Sequence, residues 1–331
     1  MSKIRPSKGA PYARVLGVGG YRPVRVVPNE VILETIDSSD EWIRSRSGIA
    51  TRHWASAEET VAAMSIEASG KAIANAGIDA AQIGGVIVST VSHFKQTPAV
   101  ATEIADKLGT GKAAAFDISA GCAGFGYGLT LAKGMIVEGS AEYVLVIGVE
   151  RLSDLTDLED RATAFLFGDG AGAVVVGPSN EPAIGPTIWG SEGDKSETIK
   201  QTVPWTEYDS SGKFPAITQE GQAVFRWAVY EMAKVAQQAL DAAGISPDDL
   251  DVFIPHQANM RIIDSMVKTL KLPDHVTVAR DVETTGNTSA ASIPLAMERL
   301  LATGQAKSGD TALVIGFGAG LVYAATVVTL P

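Results

Sequence analysis

Cys122 is the only cysteine in a chain of 331 residues, and it lies in Asp117-Ile118-Ser119-Ala120-Gly121-Cys122-Ala123-Gly124-Phe125-Gly126. Before it, residues 113–118 read as a short buried strand. After it, Phe125, Leu129, Ala132 and Ile136 recur at the period of one helix face. A cysteine at such a strand-to-helix turn meets free backbone N–H groups and the positive end of the helix dipole, and both favour a thiolate. Its small neighbours let other groups approach closely. Two readings stand on this stretch: a nucleophile, or a buried structural cysteine.

A second stretch, Ile254-Pro255-His256-Gln257-Ala258-Asn259, places His256 just beyond an apolar strand and just before a helix. Functional groups of α/β sheets gather at such strand ends, and histidine there can donate a hydrogen bond or accept a proton near neutral pH. His53, His93 and His275 have no comparable setting and receive no catalytic role. Asn287, in Gly286-Asn287-Thr288-Ser289-Ala290-Ala291-Ser292, stands ahead of a helix; by itself it reads as an N-cap. Gly316-Phe317-Gly318-Ala319-Gly320 offers backbone N–H groups to a developing oxyanion. Two glycine clusters, at 17–20 and 168–172, fail the spacing of a dinucleotide fingerprint and are expected to be tight turns between strands.

The elements that must position these residues alternate between strand and helix patterns, which predicts an α/β fold. Strands are expected at Val15–Val18, Val86–Thr90, Tyr143–Gly148 and Ala171–Gly177, and an alanine-rich helix at Ala62–Ala76 ended by Gly77. A turn with Pro23 and Pro28 leads to an apolar-charged helix, and Ser39 or Asp40 caps the short helix carrying Trp42, Arg44 and Arg46. The second half repeats the first: 166 residues separate Val86 from Val252, and 168 separate Val144 from Ala312. The helix after Cys122 returns as Ser289–Leu301, so the Asn287 turn occupies the repeat position of the Cys122 turn. A near-constant offset over several elements indicates duplication, with each half burying its face on the other. Duplication also predicts that Cys122 and His256 meet at the pseudo-twofold axis. Between the halves, Trp189–Pro215 reads as a polar loop insertion, over the surface or a cleft.

Composition bounds the function. The chain is 46% hydrophobic and 20% charged, enough for a sizeable core, and its net charge of −11 argues against general nucleic-acid binding. No apolar run reaches the length of a membrane span, and the polar N-terminus lacks a secretory h-region. One cysteine forbids an intrachain disulfide and agrees with a cytoplasmic location. One Cys and four scattered His suggest no metal cluster; a carboxylate-only metal site stays open.

Taken together, the motif around Cys122, Pro255-His256-Gln257-Ala258-Asn259 and Gly286-Asn287-Thr288-Ser289 resemble β-ketoacyl-acyl-carrier-protein synthase III, and within it the actinobacterial branch. The resemblance covers nearly the whole chain, including Ser39-Asp40-Glu41-Trp42-Ile43 and Phe167-Gly168-Asp169-Gly170-Ala171-Gly172. It implies an α/β thiolase-like fold in five αβαβα layers, with residues 1–178 carrying Cys122 and 179–331 carrying His256 and Asn287. The implied reaction is a decarboxylative Claisen condensation. A short-chain acyl-CoA and malonyl-acyl carrier protein give a 3-oxoacyl carrier protein, CoA and carbon dioxide, which initiates fatty-acid synthesis.

By that resemblance Cys122 takes the primer as a thioester, and the N–H groups of Cys122 and Ala319 bind the oxyanion, alanine standing where the family usually has glycine. His256 and Asn287 bind the malonyl thioester oxygen. Trp42 and Arg46 hold the adenine end of CoA with Arg161 nearby, Ser38 stands where many relatives have threonine, and Asn259 meets the pantetheine. Gln257, Arg226, Arg261 and Lys268 are assigned to the carrier protein. That protein is acidic like this chain, so docking needs a local basic patch, and Arg261 and Lys268 lie two helical turns apart on one face. Thr97 and Phe317 are placed in the acyl pocket, Thr97 reaching across a homodimer. Acetyl-restricted relatives have phenylalanine at the position of Thr97, so short branched primers are expected to fit. No cofactor, metal, nucleic acid or membrane is implied. A two-cysteine thiolase is disfavoured by the single cysteine, and an elongating enzyme by Asn287 where a second histidine would stand. A polyketide-priming relative could keep the same three residues and is the alternative.

Overall fold

The structure, a computed structural model, describes residues 4–331. Two five-stranded sheets form its frame. From edge to edge the first runs Tyr12–Tyr21, Asp169–Ser179, Tyr143–Arg151, Ile83–Ser89, Ala114–Ile118. The second runs Ile188–Ser191, Val322–Thr329, Thr311–Gly318, Val252–Pro255, Thr277–Val278. In both, the first three strands pair antiparallel and the last three parallel, so the two halves share order and direction as duplication requires.

Between the sheets lie the helices Gly124–Glu138 and Ser292–Ala302, packed into one apolar layer. Phe125, Leu129, Ala132 and Ile136 are at most 2% exposed there, the outcome their spacing predicts. Val61–Ala76 and Val100–Leu108 cover the outer face of the first sheet. Met232–Ala243 and Met260–Leu270 cover that of the second. The result is the five-layered αβαβα order. Strands with helices on both faces bury both, and Val144 to Val149 is buried throughout.

Four local expectations change. The glycines at 17–20 are not in a turn; they lie inside the strand Tyr12–Tyr21. A Cβ at Gly17 would stand 2.4 Å from the Ala72 carbonyl oxygen, and one at Gly19 2.2 Å from that of Ala68, so glycine lets the helix Val61–Ala76 rest on the strand backbone. Asp169 to Gly172 likewise begin a strand, with Gly172 packed against Pro294. The expected helix after Pro28 is only Asn29–Ile32, and the turn expected at Pro23 and Pro28 contains the strand Arg25–Pro28, paired with Thr51–Trp54, a partner no local pattern reveals. Trp189–Ser191, expected as loop, belong to Ile188–Ser191, the edge strand of the second sheet.

Candidate active site

Duplication brings two strand-to-helix turns together at the middle of the molecule. Cys122, His256, Asn287, Phe317 and Ala319 all line one cavity of about 550 Å³. The insertion expected over a cleft does cover it, contributing Ile199, Gln201 and Trp205.

Cys122 lies in the 3-10 turn Gly121–Ala123, which runs directly into the helix Gly124–Glu138. As the second residue of that turn it has an N–H with no intrahelical acceptor. The hairpin after Thr311–Gly318 presses against it: a Cβ at Gly318 would stand 2.8 Å from Cys122 Sγ. Ala319 N lies 3.5 Å from the position a Cβ on Gly121 would take, so the Cys122 and Ala319 amides border the same end of the cavity. The thiol is half-buried, open only to the cavity, and burial pushes it up to about 12; Ser289 lowers it and the charge of Glu150 raises it. Burial thus opposes the thiolate that the helix dipole favours.

His256 is 2% exposed, and burial pushes its imidazole down to about 3, so it is neutral at pH 7. Its Nδ1 lies 2.7 Å from Ser292 Oγ, and the Gln257 N–H donates to the same oxygen at 3.3 Å. When Ser292 donates to Nδ1, the single proton of the neutral ring sits on Nε2 and faces away from Ser292. Phe317 packs edge-on against the imidazole at 5.4 Å. Asn287 is held by its backbone, N–H to Leu166 O at 2.8 Å and C=O accepting from Gly168 N at 3.0 Å. Its Oδ1 accepts the Ser289 N–H at 2.9 Å, but the N-cap expected of Asn287 is not formed, since Thr288 holds the cap position of the turn Ser289–Ala291; the amide NH2 remains for the cavity.

Trp42, Arg46 and Arg161 gather on the surface. The Arg161 guanidinium lies 4.9 Å and that of Arg46 5.8 Å from the Trp42 ring centre, a cationic and aromatic platform. Ser39 Oγ caps this helix by accepting the Trp42 N–H at 3.1 Å. Ser38 Oγ is buried without a partner. Asn259 donates to Arg46 O at 3.0 Å and accepts from Arg261 N at 2.8 Å, tying the platform to the next helix.

Arg226, Arg261 and Lys268 are exposed. The Arg261 guanidinium covers the Phe225 ring at 5.0 Å, which ties the helix Gly221–Tyr230 to the helix Met260–Leu270. Gln257 does not belong with them. It is fully buried, its amide donating to Pro255 O at 2.7 Å and Ala279 O at 3.2 Å while accepting from Val282 N at 3.1 Å, so nothing remains for a docking protein. Thr97 is exposed and stands outside its own chain's cavity, whereas His93, given no role from sequence, lines it together with Lys95 and Gln96. Sequence reading also missed Ser292 and Glu150. Both were visible only as a polar residue inside a helix pattern and an acid closing an apolar strand.

Family comparison agrees with this geometry. Models described as 3-oxoacyl-[acyl-carrier-protein (ACP)] synthase III and its C-terminal part match residues 116–193 and 240–330. The β-ketoacyl-[acyl-carrier-protein] synthase III of Streptomyces glaucescens is 90% identical over 333 residues, covering 100% of both chains. The chain belongs to the β-ketoacyl-acyl-carrier-protein synthase III family. It falls in the actinobacterial branch: the mycobacterial β-ketoacyl-[acyl-carrier-protein] synthase III of Mycobacterium marinum is 55% identical, covering 100% of this chain and 99% of the relative. Among solved structures, the priming β-ketosynthase from the R1128 polyketide pathway matches with a TM-score of 0.97 and 46% identity, covering 100% of this chain and 99% of the other. The family's thiolase fold and acyltransferase-type condensing chemistry are thus this chain's too. No helix among the described residues is long and apolar enough to cross a membrane. No group of three or more His, Cys, Asp or Glu placed for a metal occurs among them either.

Proposed function

We propose that the chain initiates fatty-acid synthesis in the cytoplasm as a homodimer, condensing a short acyl-CoA primer with malonyl-acyl carrier protein and using no cofactor. The observation that carries this reading is the convergence of Cys122, a neutral His256 and the Asn287 amide on one cavity. CoA enters past Trp42, Arg46 and Arg161, with Ser38 and Asn259 along its path. The sulfur of Cys122 attacks the thioester carbonyl, and the N–H groups of Cys122 and Ala319 take the developing oxyanion. CoA leaves as its thiol and the acyl group stays on Cys122.

The malonyl carrier protein then docks on the face of Arg226, Arg261 and Lys268. His256 Nε2–H and the Asn287 NH2 donate to the malonyl thioester oxygen, so loss of carbon dioxide leaves a stabilised enolate. Its carbon attacks the acyl-Cys122 carbonyl, releasing the cysteine and a 3-oxoacyl carrier protein. A cavity of about 550 Å³ supports short primers with room for a branch. Residues 1–178 and 179–331 act as two halves of one unit, one supplying the nucleophile and the other both donors.

The half-reactions test it. His256→Ala and Asn287→Ala should slow malonyl decarboxylation on the order of 100- to 1,000-fold while acylation of Cys122 suffers much less. Equal loss in both would make His256 an obligatory base for the thiol instead. The R1128 likeness favours polyketide priming as a second reading; faster turnover with a polyketide carrier protein than with the fatty-acid carrier would select it.

A further inference from the structure

One wall of the cavity that holds Cys122 is a stretch of chain without regular structure. His93, Lys95 and Gln96 line the cavity, and Thr97 follows them, exposed. Among the described residues, no hydrogen bond holds the backbone of residues 93–98. Such a segment stands where its two ends and its side chains put it.

Both ends are held by carboxyl groups reaching over from other strands. Upstream, Glu150 near the end of Tyr143–Arg151 is completely buried. It accepts from Ser92 Oγ at 2.6 Å, from the Val91 N–H at 3.1 and 3.3 Å, and from Thr90 Oγ1 at 3.3 Å. Ser92 Oγ in turn accepts the Arg151 N–H at 2.8 Å, so this hydroxyl is tied twice to the same strand. Downstream, Asp117 on Ala114–Ile118 accepts the Val100 N–H at 2.8 Å and the Ala101 N–H at 2.9 Å, one on each oxygen. These residues open the helix Val100–Leu108, whose own cap residue, Ala99, has no side-chain oxygen to offer. Between the ends, the Phe94 ring packs 5.2 Å from that of Trp205 and 5.5 Å from that of Phe214, both in the insertion.

The reaction proposed above uses neither acid. Asp117 borders the cavity, but both of its oxygens are taken by the helix. Burying a carboxyl group among neutral donors is costly, and Arg151 beside Glu150 pairs with Asp154 instead, at 2.8 Å. What the burial achieves is a fixed course for residues 90–92, and Asp117 does the same for the far end of the wall.

We propose that Glu150 and Asp117 are positioning residues for primer specificity: they pin the two ends of residues 93–99 and thereby set how large an acyl group Cys122 accepts. This rests on the reading of Cys122 as acceptor of an acyl-CoA primer. With either end released, the wall yields and longer acyl chains enter.

Two measurements on the full chain test it. The first is trypsin cleavage after Lys95, inside the segment, followed by mass spectrometry and needing no substrate. Glu150→Leu, which removes every acceptor, and Asp117→Ala should each quicken this cut about tenfold, as loss of a well-formed hydrogen bond implies. The second is the ratio of Cys122 acylation efficiencies with hexanoyl-CoA and isobutyryl-CoA. Both variants should raise it about tenfold, the low end of what a methylene commands in a pocket. Glu150→Gln keeps an oxygen for Ser92 and Thr90 and should restore both readouts to near wild type. A role in stability alone would slow acylation by all primers alike and leave the ratio unchanged. An unchanged ratio or an unchanged cut in folded Glu150→Leu overturns the proposal, as does a Glu150→Gln no better than Glu150→Leu. Should Glu150→Leu fail to fold, Asp117→Ala must shift both readouts by itself. A wild-type chain that takes no acyl group from either CoA would sink the reading of Cys122 instead, while the trypsin cut still reports on the pins.

Discussion

Gly318 is where the hairpin of the second half meets the nucleophile of the first, and Gly318→Ala perturbs that contact with a single methyl group. Its Cβ would stand 2.8 Å from Cys122 Sγ, 2.9 Å from Cys122 Cβ and 3.2 Å from Cys122 N. Ordinary contact begins near 3.4 Å, so the sulfur must retreat by about 0.6 Å. The Cys122 backbone cannot follow, since its carbonyl oxygen lies 2.8 Å from where a Cβ on Gly316 would be, so the sulfur itself must turn aside. Productive geometry tolerates about 0.5 Å, and a displacement near 1 Å costs roughly 100-fold. Acylation by isobutyryl-CoA, followed by rapid quench and intact-protein mass, should therefore slow by roughly 10- to 100-fold. Decarboxylation of malonyl carrier protein on enzyme already acylated should lose less, because His256 and Asn287 are not displaced. A wild-type acylation rate in a folded variant would refute the claim that the hairpin fixes the nucleophile.

Two further outcomes follow from the surface and the pocket. Arg261→Glu should raise the KM for malonyl carrier protein while acylation by acyl-CoA stays nearly intact. The defect should shrink with added salt, since exposed charges are screened over roughly 8 Å at physiological ionic strength; equal loss with both substrates would place Arg261 in the CoA path. If Thr97 closes the acyl pocket of a partner subunit, Thr97→Phe should lower the isobutyryl-to-acetyl acylation ratio tenfold or more, as about 1–3 kcal/mol per methylene implies. An unchanged ratio would leave that boundary to cavity residues such as Phe317.

Much of this site was legible in the sequence because duplication is. Once Val144 and Ala312 are matched, the Cys122 and Asn287 turns become equivalent, and the same duplication predicts that Cys122 and His256 meet at the pseudo-twofold axis. The middle helix was legible for the same kind of reason, a strict period in its buried residues. What stayed hidden depends on contacts between distant segments. Arg25–Pro28 is a strand only because Thr51–Trp54 pairs with it. Gly17 and Gly19 looked like turn residues because nothing local tells of a helix lying on a strand. Gln257 sits inside a functional motif yet serves the fold, and only its burial reveals that. The thiol's protonation turned on the balance of burial against dipole, which a motif cannot weigh.

The central claim is that Cys122 carries the acyl group. Incubation of the wild-type chain with isobutyryl-CoA in the absence of malonyl carrier protein, followed by proteolysis and mass spectrometry, tests it directly. The account predicts one acyl group per chain, on the peptide containing residue 122, discharged when malonyl carrier protein is added. It predicts none in Cys122→Ser, whose alkoxide is far harder to form. An acyl group found on any other residue, or a Cys122→Ser chain that still condenses, would contradict it.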